Sequence, residues 1–369
     1  MSSPFFRSFI KRIEIALRKA FIAVLALRTT EKVRSYPLPL SATPTILFLR
    51  QDRLGDAIVS TPLLVAVKRH LPQARIIMVL GKDNQAVAKL LPVECEILVY
   101  KKKLLSDLKM LLSLRSRNIE VAIDLMDNPS VTSSAIIGLI GAKYSIGVEK
   151  DNSAVYSVTV PALDRFSTHI STRIAELLRP LGIDPSSIQL QPTLASSSVK
   201  SVSGRVGLNL SAGSVNRELS VKQNADICLA LLTNDLAQEI LLLYHPKDIQ
   251  RALDIKAIVK DSRINTGAKT ADIAELTAQL ATCESIITPD TSIVHIAAAL
   301  SIPLVGIYTL VTPKDFHSYW TPIGVPYEMI IPAQTFEEVT AETVLEAFRK
   351  LMNTVKAQSP VQPDHNHVA

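Results

Sequence analysis

The chain of 369 residues is short of several things: it has three cysteines, one tryptophan and twelve glycines, and aromatic residues reach only 5%. Cys95, Cys228 and Cys283 are far apart, odd in number and without CxxC or Cys/His spacing. That pattern excludes a disulfide framework or a zinc site and predicts reduced core thiols in a cytosolic protein. No apolar run approaches the ~20 residues a spanning helix needs. Neither a GxGxxG fingerprint nor a GxxxxGK[ST] P-loop occurs, so NAD chemistry and P-loop phosphoryl transfer lose their main support. Asp-x-Asp is also missing, and Asp124-Leu-Met-Asp127 is spaced wrongly to hold a metal–nucleotide complex. Charged residues make up 20% and hydrophobic residues 47%, which excludes a largely disordered chain.

What charge there is sits unevenly. Residues 1–36 hold eight basic and two acidic side chains, a surplus equal to the +6 of the whole chain. The remainder is therefore neutral. With so few aromatics to stack on bases, nucleic-acid binding is not expected despite a pI near 9.1. Phe6, Ile10, Ile13, Leu17, Phe21 and Val24 recur at helical spacing, with Lys11, Arg12, Arg18 and Lys19 on roughly the opposite side. Such a basic amphipathic helix suits a membrane surface, or docks on the protein's own surface. A secretory signal fits less well, because Ala20–Leu27 is short and no small-residue cleavage site follows. At the other end, His365 and His367 stand in a polar stretch with two prolines, read as a disordered tail rather than a metal clip.

From residue 45 onward, short β-branched runs alternate with amphipathic ones, the signature of buried parallel strands joined by helical crossovers. Strands are expected over Thr45–Leu49, Arg75–Leu80, Glu96–Tyr100, Val121–Asp124 and Tyr144–Val148, with helices at Ala57–His70, Gln85–Leu91, Leu104–Arg115, Ser130–Ile140 and Thr168–Leu181. A Ser- and Pro-rich stretch follows, then a second set: strands from 206, 239, 263, 285 and 304, helices between them, and a last helix over Thr340–Lys356. This predicts an α/β chain of two Rossmann-like doubly wound domains facing a central cleft. The expected organisation is an N-terminal helix over 1–36, a first Rossmann-like domain over 45–190 and a linker over 191–204. A second Rossmann-like domain over 205–332 then leads to a C-terminal helix over 333–356 that could pack back on the first domain, and a tail over 357–369. By the switch-point rule, ligands belong at the strand carboxyl ends.

Three motifs fall there. Arg50-Gln-Asp-Arg-Leu-Gly-Asp56 follows the first strand: Gly55 suits a tight turn, and Asp56 at a helix start either takes a proton from an acceptor hydroxyl or merely caps the helix. Asn209-Leu-Ser-Ala-Gly-Ser-Val-Asn-Arg217 follows the second domain's first strand. Its small residues leave N–H groups open, with hydroxyls from Ser211 and Ser214 and the charge of Arg217, a set that suits a diphosphate. A plain loop with a surface arginine is the alternative. The third is Ile287-Thr-Pro-Asp-Thr-Ser-Ile-Val-His-Ile-Ala-Ala-Ala-Leu300, where Asp290-Thr291-Ser292 opens a helix toward a bound anion. His295, one turn in, is either a core histidine or a residue reaching the cleft.

Together these motifs resemble those of the ADP-heptose:lipopolysaccharide heptosyltransferase family over roughly residues 45–330. The matching segments are Arg50…Leu54-Gly55-Asp56…Ser60-Thr61-Pro62 and, about 230 residues later, Asp290 through His295 on to Ala297–Leu300 and Pro303. The resemblance implies a GT-B fold and inverting, metal-free transfer of a heptose or related sugar. Asp56 matches the family's proposed general base, and Arg217 falls where a phosphate-binding lysine is usual. Asp248 falls near an acidic residue thought to bind the nucleoside. Asp290, Thr291, Ser292, Ile293 and His295 match the donor-binding turn, and Arg50 and Arg53 are the expected acceptor contacts. Leu219-Ser220 stands where the family has W-P, and Ser292 where it has Gly. No cofactor is expected, ADP-heptose being a substrate. The expected partners are a nucleotide-sugar donor, a lipid-linked oligosaccharide acceptor and the cytoplasmic face of the inner membrane, met through the N-terminal helix; nucleic acid is not among them. A non-hydrolysing sugar-nucleotide epimerase and a degenerate, non-catalytic sugar-nucleotide-binding protein are the rival readings.

Overall fold

The computed structural model describes residues 4–27, 32–195, 199–309 and 320–358. His365, His367 and the rest of the tail from residue 359 lie outside the described residues, as does Arg28. The chain divides into two compact units, Met1–Ala195 and Ser196–Ala369.

The first unit runs α1 (Pro4–Ala26), β1 (Thr45–Arg50), α2 (Leu54–Val59), α3 (Thr61–His70), β2 (Arg75–Gly81), β3 (Glu96–Tyr100), α4 (Leu104–Arg115), β4 (Val121–Asp124), α5 (Val131–Ile140), β5 (Tyr144–Val148), β6 (Val158–Val160) and α6 (Ile170–Ala175). Its six strands are all parallel, in the order β3-β2-β1-β4-β5-β6. Leu47, Leu49, Ile77 and Val79 line one face of this sheet, where Met110 and Leu114 of α4, Ile136, Ile137 and Ile140 of α5 and Leu25 of α1 cover them.

The second unit runs β7 (Arg205–Asn209), α7 (Val221–Thr233), β8 (Glu239–Leu243), α8 (Ile249–Val259), β9 (Ile264–Thr266), α9 (Ile273–Leu280), β10 (Ser285–Pro289), α10 (Ser292–Ala299), β11 (Leu304–Ile307), β12 (Tyr327–Ile330) and α11 (Ala341–Gln358). Its order, β12-β11-β10-β7-β8-β9, is the same winding, again all parallel. Each sheet thus reverses direction between its first and fourth strands, at β1/β4 and at β7/β10. That is where a doubly wound sheet leaves a crevice at its carboxyl edge.

Several local expectations change. Pro62 at the second position of α3 splits the single helix expected over 57–70, and Ser60 ends α2 while opening α3. Gly55 lies in the first turn of α2 and is not among the positive-φ glycines, so it makes no tight turn. The helix expected over 168–181 is α6 followed by a 3₁₀ turn containing Pro180, closed by Gly182 at φ 81°. The apolar face of α11 (Val344, Leu345, Ala347, Phe348, Leu351) joins the second unit's own core, with Ile227, Leu231 and Ile330. Gln358 is still helical, so α11 runs two residues into the stretch expected to be tail.

The Ser-rich stretch is tied at both ends. Thr193 N–H donates to Thr61 Oγ1 at 2.9 Å and Ala195 N–H to the Leu90 carbonyl at 2.9 Å, while Val202 N–H donates to the Thr282 carbonyl at 2.8 Å. The three cysteines are free, with Cys228 and Cys283 buried; burial pushes both thiols up to about 12.

Candidate active site

In the first unit, the loop after β1 is built around Arg50. This side chain is only 1% exposed, and long cations are rarely so buried without partners. Its Nε donates to the Asp56 main-chain carbonyl at 3.0 Å, and one terminal nitrogen donates to the Leu125 carbonyl beyond β4. The same guanidinium lies 3.4 Å from an Asp52 carboxylate oxygen and 3.7 Å from one of Asp56. Arg50, expected as an acceptor contact, thus lies beneath the loop and holds its two carboxylates. Arg53, by contrast, is exposed and occupies the N-cap of α2 without a side-chain cap bond. Asp56 is in the first turn of that helix, three residues inside the cap position.

Two residues that sequence reasoning passed over complete the arrangement. Asn84 is fully buried: its Nδ2 donates to the Arg50 carbonyl at 2.8 Å, and its Oδ1 accepts from Gly81 N–H at 2.7 Å. Gly81 has no room for a side chain, since a Cβ there would sit 2.5 Å from the Gln51 carbonyl oxygen. Asp52, two residues from Arg50, has its carboxyl pushed up to about 6, chiefly by burial; Arg50 opposes the shift and Asp56 and Asp124 add to it. Behind this loop, Asp124 ends β4 fully buried, accepting from Tyr156 Oη at 2.5 Å and Lys150 Nζ at 3.0 Å. Burial, reinforced by the Asp124 charge, raises the Tyr156 hydroxyl well above its ordinary range, so it stays a donor.

In the second unit, the equivalent edge is lined by hydroxyls and half-exposed charges. Asn209, at the end of β7, donates to Thr288 Oγ1 at 2.9 Å and to the Ser211 carbonyl at 3.1 Å, joining the two switch-point loops. Ser211 Oγ donates to Asp248 at 2.6 Å and accepts from His245 N–H at 2.8 Å. Arg217 lies 3.3 Å from the Asp290 carboxylate, both side chains nearly a third exposed. Ser214 is exposed at the tip of the loop, and its carbonyl accepts from Arg217 N–H at 3.0 Å. Thr291 caps α10, its hydroxyl accepting from Ile293 N–H at 3.3 Å, and Ser292 begins the helix.

Ile293 and His295 are each 5% exposed. Ile293 is thus a core side chain, and its contribution to a ligand is limited to the helix backbone. The His295 ring lies 6.0 Å from that of Trp320, the chain's single tryptophan and a residue not singled out from the sequence. Where W-P was absent, Leu219 fills the core and Ser220 caps α7, exchanging hydrogen bonds with Gln223 as a capping box. Among the described residues no group of three His, Cys, Asp or Glu side chains is placed to hold a metal.

Thus the first unit presents a carboxylate at its switch point, and the second presents hydroxyls, an arginine and a helix start at its own. The family model for glycosyltransferase family 9 (heptosyltransferase) matches residues 108–347. That is well over half of the sequence, and the chain belongs to this family, making it a glycosyltransferase. The match does not reach the Arg50–Asp56 loop.

Among solved structures, E. coli heptosyltransferase WaaC with ADP has a TM-score of 0.67 at 16% identity, covering 84% of this chain and 98% of its own. E. coli ADP-heptose LPS heptosyltransferase II gives 0.65 at 20% identity, covering 85% and 99%. A family 9 glycosyltransferase from Veillonella parvula gives 0.67 at 16%, covering 85% and 99%. At such identities the likeness is one of fold, and that fold is GT-B. No curated protein is similar enough in sequence to match.

Proposed function

We propose that the chain is an inverting, metal-independent glycosyltransferase moving a heptose or related sugar from an ADP-sugar to a lipopolysaccharide-core acceptor. The observation that carries this reading is the Asp56 carboxylate, set beside the buried Arg50 at the carboxyl edge of the first sheet. A carboxylate so placed accepts the proton of an acceptor hydroxyl as that oxygen attacks the anomeric carbon. The leaving diphosphate needs charge and oriented N–H groups, which Ser214, Arg217, Thr291 and Ser292 supply in the second unit. Arg217 is paired with Asp290, so a diphosphate takes the arginine from a carboxylate rather than from water. Ser211 and Asp248 form the adjoining hydroxyl–carboxylate pair, which suits the sugar hydroxyls of a nucleoside. Exposed Arg53 is the remaining candidate for the acceptor.

The WaaC structure that holds ADP supports adenosine diphosphate as the donor's handle. Acceptors of this kind are lipid-anchored, which gives α1 a role at the cytoplasmic membrane face. Among the described residues, no helix is long and apolar enough to cross a bilayer.

The test uses ADP-heptose with a delipidated core acceptor. Asp56→Asn lowers kcat by about 10²- to 10⁴-fold, the range of a general base, while KM for the donor stays near that of the unaltered protein. Turnover of the nucleotide sugar with no acceptor present would instead identify an epimerase. Full activity of the Asp56 variant would remove the assignment.

A further inference from the structure

The helix α4 carries apolar side chains on its outer side as well as on the side that meets the core. Met110 and Leu114 enter the core beneath it, yet Leu104, Leu105, Leu108 and Leu112 remain 85%, 75%, 49% and 61% exposed. An apolar helix face is normally the face that is buried. Contiguous apolar surface of this kind marks an interaction site. Immediately before α4 come Lys101, Lys102 and Lys103, all exposed, with Lys109 and Arg115 exposed along the helix. The loop that presents the three lysines is held in place: the Asp107 carboxylate accepts from Lys101 N–H at 2.9 Å and from Lys103 N–H at 2.8 Å. Lys102 itself is in the left-handed region at φ 57°.

The same layer carries a second apolar stripe. α5 packs against both α4 and α1, and all three cover one face of the first sheet. α1 docks through Leu25, which is 3% exposed and rests against Gly138, with Ile22 and Ala26 beside it. Its Leu17, Phe21 and Val24, the stripe read from the sequence as membrane-facing, stay 65%, 44% and 59% exposed, and Arg18 and Lys19 are exposed with them. Two helices of one layer thus leave leucine, phenylalanine and valine side chains in solvent, each with basic residues alongside.

We infer that the α4 face, Leu104, Leu105, Leu108 and Leu112 with Lys101–Lys103, docks on the surface of an anionic phospholipid bilayer. The charge complementarity selects this occupant. Leucines enter the acyl boundary while the lysines meet lipid phosphates, as in interfacial amphipathic helices. A protein partner of neutral surface would have no use for three consecutive lysines at the edge of the patch. The inference extends the membrane role given above to α1, but it does not depend on sugar transfer, since it concerns a different surface and a different readout.

The experiment is co-sedimentation of the full chain with vesicles of phosphatidylcholine alone or with phosphatidylglycerol, at low and high salt. ADP binding and thermal midpoint are measured on every variant, so loss of fold or of the donor site is separately visible. The unaltered protein binds the anionic vesicles and is released by salt. Leu105→Gln with Leu108→Gln lowers partitioning about tenfold or more. Lys101→Gln, Lys102→Gln and Lys103→Gln together lower it on the order of a hundredfold at low salt and flatten the salt dependence. The α1 pair Leu17→Gln and Phe21→Gln gives a further, separate loss. Unchanged vesicle binding by the α4 variants would overturn the proposal. So would sedimentation of the unaltered protein as a dimer that Leu108→Gln dissociates, since the face would then belong to a second copy of the chain.

Discussion

At the switch point of the first sheet, Arg50 is 1% exposed with Asp52 and Asp56 pressed against it; at that of the second, Arg217 and Asp290 are 30% and 28% exposed. The two units share one strand order, yet one buries an arginine to hold carboxylates and the other keeps an arginine where an anion can take it. A buried cation fixes the position and charge of its neighbours, which is what a reacting group needs. A half-exposed one exchanges a weak ion pair for a ligand, which is what a binding loop needs. On the proposed reading, the same winding supplies chemistry in one unit and affinity in the other.

The comparison is broken most directly at Arg50. Replacing it with methionine leaves the largely enclosed Asp52 and Asp56, 21% and 14% exposed, without their counter-charge and takes the donor from the Leu125 carbonyl. The expected loss is about 3–5 kcal/mol in urea unfolding. Arg217→Met, by contrast, changes stability by less than about 1 kcal/mol, because its partner is reachable by water. Equal losses at the two positions would erase the distinction.

A second way in is the pH dependence of Asp52. Its folded carboxyl titrates near 6, above the ordinary 3.8, so the folded state holds a proton that the unfolded chain has already released. Stability therefore falls as pH rises from about 4 to about 6 and is level beyond. Asp52→Asn removes that decline, amounting to roughly 3 kcal/mol for a shift of about two pK units at about 1.4 kcal/mol each. Urea titrations at pH 4, 5 and 7 read it, and a variant curve parallel to that of the unaltered protein would contradict the burial argument. A smaller effect belongs to the second unit: Ser220→Ala removes the α7 cap for about 1 kcal/mol, and donor KM should hardly move, since Ser220 faces Gln223 and not the loop edge.

Much of this could be read from the residues. Leu104–Arg115, Glu96–Tyr100, Val121–Asp124 and Tyr144–Val148 appear at the expected limits because strand runs and turn residues alternate sharply there. The short edge strands β6 and β12 were not legible, since three or four residues with alternating or mixed exposure carry little pattern. Asp56, Arg217 and the Thr291 turn could be picked out because each falls between the end of a strand and the first turn of the next helix. The role of Arg50 could not, because burial of an arginine depends on Leu125, 75 residues away. Asn84 and Asp52 look like ordinary loop residues until β2 and β1 are laid side by side. Likewise, the period of α1 identified an apolar stripe, but not that docking through Leu25 leaves it in solvent.

Calorimetry of ADP binding to three forms of the full chain tests the division of labour between the units most directly. Arg217→Gln should weaken ADP about tenfold or more, while Asp56→Asn stays within about twofold of the unaltered protein. Weakening by Asp56→Asn together with undiminished affinity in Arg217→Gln would contradict the account.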